Sequence, residues 1–476
     1  MGRRAAARER LAGRPANRAI VVVVALLLAA CGSRLSGDER AQAIAALERG
    51  PADGRSSGVG EPVVGDTETV TGGGGATPGP TGTAAPTDAP VANEAAGGGQ
   101  ADACRPGSAT GPGVTPTELR VGNVSQMSGL IPGLARTSVN GVAAYFNYVN
   151  NQGGVCGRRL NLVRADDRFQ AATNRGETEK LADSVIAFAG SFSAVDDGGA
   201  PVLDAKGIAD VSLAITPPRI AARNNFSPNP IDPTPGAGSG VAPALSYFKQ
   251  AFGAQHGAIF YQDVASSVNQ LKSFRADFEN AGFPLEAVYP VAPTATNFRS
   301  QALDMKQKGI DLVVTIAEVN AMANLARAFG DVGYFPKVPY YGAQTYGQKF
   351  IQLAGGSAEG AMAALIFTVP EEATPASATM RDWYRRTAPG HDLDYFSLQA
   401  WVAGEMLVTA LRAAGPDPTQ QKVIAELRKL TRFESGMVAP INPAEKKASR
   451  CFHVVEVKNG AWVKQFPESG FHCQGA

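Results

Sequence analysis

Apolar and polar positions fall into three regimes along the chain. Residues 19–30 are an unbroken apolar run, AIVVVVALLLAA. Residues 49–118 contain no Leu, Ile, Met or aromatic side chain. From Leu119 onward, short apolar runs alternate with stretches whose apolar residues recur at helical spacing. LRVGNV (119–124) reads as a buried strand, and 138–152 as a helix with Val139, Val142, Ala143, Phe146 and Val149 on one face. Gly153 and Gly154 stop that helix. Strands are then expected at 160–164, 184–190 and 208–213, with a helix at 173–182. The pattern restarts, with strands at 257–261, 285–289, 312–316 and 338–342. Helices at 267–281, 298–308, 321–330 and 347–354 separate and follow them. Alternation of this kind predicts open parallel sheets flanked by helices, and two successive runs predict two lobes.

The amino-terminal regime reads as an address. Arg3, Arg4, Arg8, Arg10, Arg14 and Arg18 precede the apolar run. At about 12 residues the run is too short for a permanent span of roughly 30 Å of hydrocarbon. A basic region, a short apolar core and small residues describe a secretory signal over 1–30. Its end, Leu28-Ala29-Ala30-Cys31, resembles a bacterial lipobox, which implies a lipidated Cys31 and anchoring to the outer face of a membrane. The next segment, 31–102, is dominated by Gly, Ala, Thr and Pro. It cannot bury enough apolar area to offset chain entropy, so it is expected to be a disordered tether. Such a tether reaches about 45–50 Å.

Composition narrows the partners. The 44 basic and 43 acidic residues nearly cancel, which argues against nucleic acid, whose phosphates need a basic surface. No Cys-x-x-Cys or His-Glu-x-x-His spacing occurs, so neither a metal nor another cofactor is expected. With Cys31 set aside, Cys104, Cys156, Cys451 and Cys473 allow three pairings. The local ones, Cys104 with Cys156 and Cys451 with Cys473, are preferred in an exported chain. Gly-x-Ser-x-Gly is lacking from the expected folded region, phosphate-loop motifs are lacking, and no histidine has an obvious nucleophile partner in sequence, so no enzyme is expected.

Three stretches carry a family resemblance. SQMSGLIPG with NGVAAYFNYVNNQGGVCGRRLNLVRADD resembles the opening of the Leu/Ile/Val-binding family of type I periplasmic solute-binding proteins. TNFRSQALDMKQKGIDLVV and ARAFGDVGYFPKVPYYGAQ are similar to that family's second lobe. The resemblance covers roughly 117–476. It implies a two-lobed α/β fold, with a first lobe over 103–236 and 368–445 and a second over 237–367 and 446–476. The tail CFHVVEVKNGAWVKQF then forms a late strand pair turning at Lys458-Asn459-Gly460. It further implies an importer's binding protein that passes a small polar solute to an ABC permease as a monomer. A ligand-sensing lipoprotein and a structural envelope lipoprotein are the alternatives.

The resemblance also nominates residues. In the first lobe, Ser128, Pro132 and Leu134 fall where the family lines its cleft. Ser191, Ser193 and Ala194 match the loop that meets a ligand carboxylate, and Ala214 with Thr216 matches a strand-end pair. Asp166 and Asp167 are expected to cap the following helix. In the second lobe the chain departs from the family. Ser266 stands where an aromatic residue is usual, and Gln344 where an acid usually pairs a ligand ammonium. Glu318 and Tyr346 are the candidates to supply the missing charge and aromatic wall. A neutral amide at 344 cannot offset a desolvated ammonium, so the ligand class is open to amides and other small polar metabolites.

Overall fold

The computed structural model describes residues 105–129 and 135–474. The expected leader, the lipidation at Cys31, the tether, Cys104, Pro132 and Leu134 lie outside the described residues.

β1 (Glu118–Ser125) is the heart of the first sheet, because its burial is nearly complete and it is paired on both edges. It runs parallel to β2 (Arg159–Asp166) in register from Glu118–Arg159 to Ser125–Asp166, and to β3 (Ala187–Ala189) on its other side. β4 (Asp210–Val211) completes the order β2-β1-β3-β4. β3 and β4 are shorter than their apolar runs predict, for two local reasons. Gly190 takes φ +62° and turns the chain out of β3. Just beyond β4, the Ser212 carbonyl accepts from the Asn225 side-chain amide rather than from a neighbouring strand.

Helix α1 (Arg136–Asn151) buries Val139, Val142, Phe146 and Val149 and ends where Gly153 and Gly154 adopt positive φ. On the sheet's other side, α2 (Ala171–Ala182) and α3 (Ala200–Lys206) help enclose a small core of Val124, Leu181, Phe188, Leu203 and Ile208. The short α4 (Pro217–Ala221) follows.

The second sheet is larger. β5 (Gly257–Gln262), β6 (Leu285–Val291), β7 (Leu312–Ile316), β8 (Val338–Tyr340) and β9 (Met362–Leu365) lie parallel in the order β6-β5-β7-β8-β9. Their flanking helices are α5 (Ala242–Phe252), α6 (Ala265–Asn280), α7 (Arg299–Gln307), α8 (Val319–Asp331) and α9 (Gln348–Ala354). The chain then forms α10 (Pro375–Thr387), α11 (Tyr395–Ala413), α12 (Gln420–Leu427) and a hairpin of β10 (Phe433–Ser435) with β11 (Val438–Ile441). It returns to the second sheet as β12 (Cys451–Lys458), antiparallel to β9, with β13 (Ala461–Phe466) and β14 (His472–Cys473) alongside β12. The expected turn holds: Asn459 and Gly460 both take positive φ, as a two-residue type I′ hairpin requires.

The product is a two-lobed α/β fold with mostly parallel sheets. α10 and α11 pack on α1. Gly141 makes this possible, since a Cβ there would meet the Ser397 carbonyl oxygen at 2.4 Å. Tyr145 and Trp401 meet edge to face at 5.0 Å across the same seam. Cys451 and Cys473 form a disulfide, and Cys156 is also disulfide-bonded. Among the described residues no helix is long and apolar enough to cross a membrane.

Candidate functional site

In both sheets the strand order reverses beside a central strand: between β1 and β3 in the first, and between β5 and β7 in the second. Open parallel sheets bind ligands beyond the carboxyl ends of their strands at such points. Every described candidate lies in a segment that leaves a strand at that end. Ser128 follows β1, Ser191 to Ala194 follow β3, and Ala214 and Thr216 follow β4. Ser266 follows β5, Glu318 follows β7, and Gln344 and Tyr346 follow β8.

The first-lobe group is drawn together by a residue the sequence did not single out, Asp196. Its carboxylate is buried and accepts hydrogen bonds from Ile215 N (2.9 Å), Thr216 N (3.1 Å) and the Thr216 hydroxyl. It thereby joins the loop after β3 to the loop after β4. Burial pushes its pKa up to about 6, against the opposing pull of Arg219 and of its hydrogen bonds. The only sequence signal was its place in SFSAVDDGG. Ser191 is fixed by the same strand ends: its N–H donates to Ser212 Oγ (3.0 Å), and its Oγ accepts from Val124 N (3.2 Å). Ser193 is buried and its Oγ accepts from Val195 N. Ala214 is buried against a cavity the size of a single water, which Asn225, Ser227, Asn229 and Lys446 also line.

Ser128 is held differently. Its hydroxyl and its N–H both donate to Asp166, which also accepts from Met127 N and Arg168 N. Burial works upward on this carboxyl, but the bonds from Ser128, Arg168 and Met127 outweigh it and hold the pKa below the usual range. Asp166 and Asp167 do not cap α2, as the sequence suggested. Gln170 is the N-cap, while Asp166 pins the β1 loop and Asp167 accepts from Phe169 N and Asn174 Nδ2.

In the second lobe, Glu318 is the N-cap of α8. Its carboxylate accepts from Ala321 N (2.7 Å), Asn320 N (2.8 Å) and Asn320 Nδ2 (2.6 Å). Its own N–H donates to Gln262 Oε1 at the end of β5. Ser266 is half-buried in the first turn of α6. Gln344 is half-buried, with its amide folded over Gly342, where a Cβ would meet the Gln344 oxygen at 2.7 Å. Tyr346 is buried, and its hydroxyl donates to Glu371 (2.6 Å) while its ring meets Trp462. Its carbonyl accepts from Tyr395 N at the start of α11. Among the described residues no hydrogen bond links a first-lobe candidate to a second-lobe one. Each lobe presents its own set. A larger groove, lined by Asn147, Asn150, Arg159 and Arg164 among others, lies along edge strand β2 and includes no candidate.

Solved structures share this architecture. A fatty acid ABC transporter substrate-binding protein from Thermomonospora curvata superposes with a TM-score of 0.64 at 18% identity, covering 75% of this chain and 93% of that one. A branched-chain amino acid ABC transporter protein from Thermus thermophilus, with bound valine, gives 0.63 at 17% identity, covering 75% and 98%. A solute-binding protein from R. palustris in complex with benzoate gives 0.61 at 19%, covering 73% and 95%. At these identities the likeness shows the fold. No curated protein sequence matches the chain. The sequence profile described as periplasmic binding protein matches residues 118–461, well over half of the chain. Two lobes of parallel sheet, with their strand-end loops turned into paired candidate sets, are therefore those of a member of the periplasmic binding protein family, to which this chain belongs.

Proposed function

We propose that the protein is an extracytoplasmic solute-binding protein of an ABC importer, anchored through a lipidated Cys31. It captures a small polar solute between its lobes and delivers it to a membrane permease. The observation that carries this is the pair of topological switch points, one per lobe, each furnished with polar strand-end residues. The lobes are 103–236 with 368–445 and 237–367 with 446–476, and closure is a hinge motion that ligand biases by better contact with the closed state. The family and fold are those of binding proteins rather than catalysts.

The candidates favour a neutral ligand head. Glu318 commits its carboxylate to a helix cap, and Asp166 commits its own to the β1 loop. Gln344 brings no charge. Proteins of similar fold hold valine or benzoate, so the fold accepts ligands of diverse chemistry. The test is thermal shift of the protein, stripped of ligand by unfolding and refolding, against amino acids, amides, organic acids, sugars and nucleosides. A ligand at 100 times its Kd adds about 2.7 kcal/mol, a rise of a few degrees. A selective rise supports the proposal. A flat panel with a well-folded protein overturns it.

A further inference from the structure

β2 has an unpaired outer edge. It ends the first sheet, and β1 is its strand partner. Arg159 N donates to Thr117 O (2.9 Å), so Arg159, Asn161 and Val163 turn their backbone groups toward β1. Alternation along the strand turns those of Leu160, Leu162 and Arg164 outward. Leu160 bears out this phase. Its N–H donates to Asn150 Oδ1 (2.7 Å), and its C=O accepts from Asn150 Nδ2 (2.9 Å). A side-chain amide of α1 thus stands where the peptide group of a further strand would lie. The outward N–H and C=O groups of Leu162 and Arg164 have no hydrogen-bond partner among the described residues.

There is room beside these groups. A groove of about 410 Å³ runs along the edge, with Ala143, Phe146, Asn147 and Asn150 of α1 as its other wall. Its charge is positive. Arg159 and Arg164 line it, both are exposed, and neither makes an ion pair among the described residues. Glu118, the one carboxylate in the lining, is turned to Asn161 Nδ2 (2.6 Å) and Arg120 (4.0 Å). Asp166, farther along β2, is committed to the loop after β1. Arg159 and Arg164 are five positions apart, roughly 16 Å along a strand.

We propose that this groove docks an extended acidic peptide segment of a partner protein, which adds to β2 as a further strand. The backbone of the segment pairs with Leu162 and Arg164. One acid meets Arg164, and a second meets Arg159 where the segment passes Asn150. Main-chain bonds supply the affinity, and the arginines select for acidic side chains. Asn150 ends the backbone pairing at Leu160, because it already fills that residue's hydrogen bonds. A second copy of this chain is the poorer occupant. Pairing edge to edge would bring its own arginines into the same groove, and like charges across paired strands are destabilising. The groove includes no strand-end candidate, so the assignment stands apart from the solute-binding reading.

The experiment titrates a fluorescently labelled, amidated octapeptide, Ser-Glu-Thr-Val-Thr-Val-Glu-Ser, with the protein and reads anisotropy. It is expected to bind at least 10-fold more tightly than its counterpart with lysines in place of both glutamates. N-methylation of both valines or of both threonines removes N–H groups from opposite edges of the extended peptide. One of these two versions is expected to lose 10-fold or more, and the other to keep most of its affinity. Arg159→Gln and Arg164→Gln lie at exposed positions that do not threaten the fold. Each is expected to cost about 3-fold, and both together about 10-fold. Equal binding of the acidic and basic peptides, or no binding by about 1 mM, would overturn the proposal. Equal effects in the two N-methylated versions would overturn strand addition. Arginine variants that bind like wild type would overturn the assignment to this groove. Dimers of the protein that the double variant dissolves would give the groove to a second copy instead.

Discussion

Asp196→Ala is the sharpest test of how the first-lobe loops are held. The substitution leaves the Ile215 and Thr216 N–H groups without their acceptor in a buried setting. At about 1–3 kcal/mol per orphaned group, the gross penalty is about 2–6 kcal/mol. The variant also relieves a cost. An aspartate carboxyl ordinarily titrates at 3.8, and this one is pushed up to about 6 in the fold, chiefly by burial. A folded pKa above the unfolded one means that ionisation opposes folding, so wild-type stability falls as pH rises from about 3.8 through about 6. Linkage sets this cost at about 3 kcal/mol at pH 8 and about 1 kcal/mol at pH 4.5. The substitution removes that cost. Asp196→Ala should therefore be about 2 kcal/mol more destabilising at pH 4.5 than at pH 8. Urea unfolding of both proteins at the two pH values measures the difference, provided the slopes agree. An equal penalty, or a larger one at pH 8, would refute the reasoning. It would mean that Arg219 and the three hydrogen bonds cancel burial, in the first case, or outweigh it and favour the charged form, in the second.

Gly141→Ala should cost more than about 2 kcal/mol in the same assay, because its Cβ would meet the Ser397 carbonyl oxygen at 2.4 Å, and backbone cannot yield as a side chain can. Replacing Cys451 and Cys473 by serine opens a loop with a sequence separation of 22, and a fall of about 3 kcal/mol is expected under non-reducing conditions. His453 is buried, with Nε2 bonded to Phe367 O, and burial together with Lys464 pushes its pKa down to about 3. Because its folded pKa lies below the unfolded 6.5, its contribution is present above about pH 6.5 and is lost as pH falls. His453→Gln should therefore remove about 2 kcal/mol of the wild-type decline between pH 7 and pH 5, read from paired urea midpoints.

Much of the architecture was legible along the chain. Apolar runs placed every strand of the two parallel sheets through β8, because strands covered by helices on both faces are apolar throughout, and helical spacing placed α1, α2 and α6 to α9. Asn459-Gly460 announced the β12–β13 hairpin, since both positions need positive φ. The segment 375–441 was opaque. α11 is buried nearly all round, from Tyr395 through Leu411, so it has no polar stripe to give a period.

The composition of the candidate site was readable as residue types, and its wiring was not. Ser128, Ser191, Thr216, Glu318 and Tyr346 were nominated through the family resemblance of the segments that carry them. Only the tertiary structure decides that their polar groups are engaged by Asp166, Val124, Asp196, the cap of α8 and Glu371. Periodicity is a local property, so sequence determines which elements form and roughly where each ends. Which polar atom is left without a partner depends on every chain segment that packs around it, and that is settled only when the lobes are assembled.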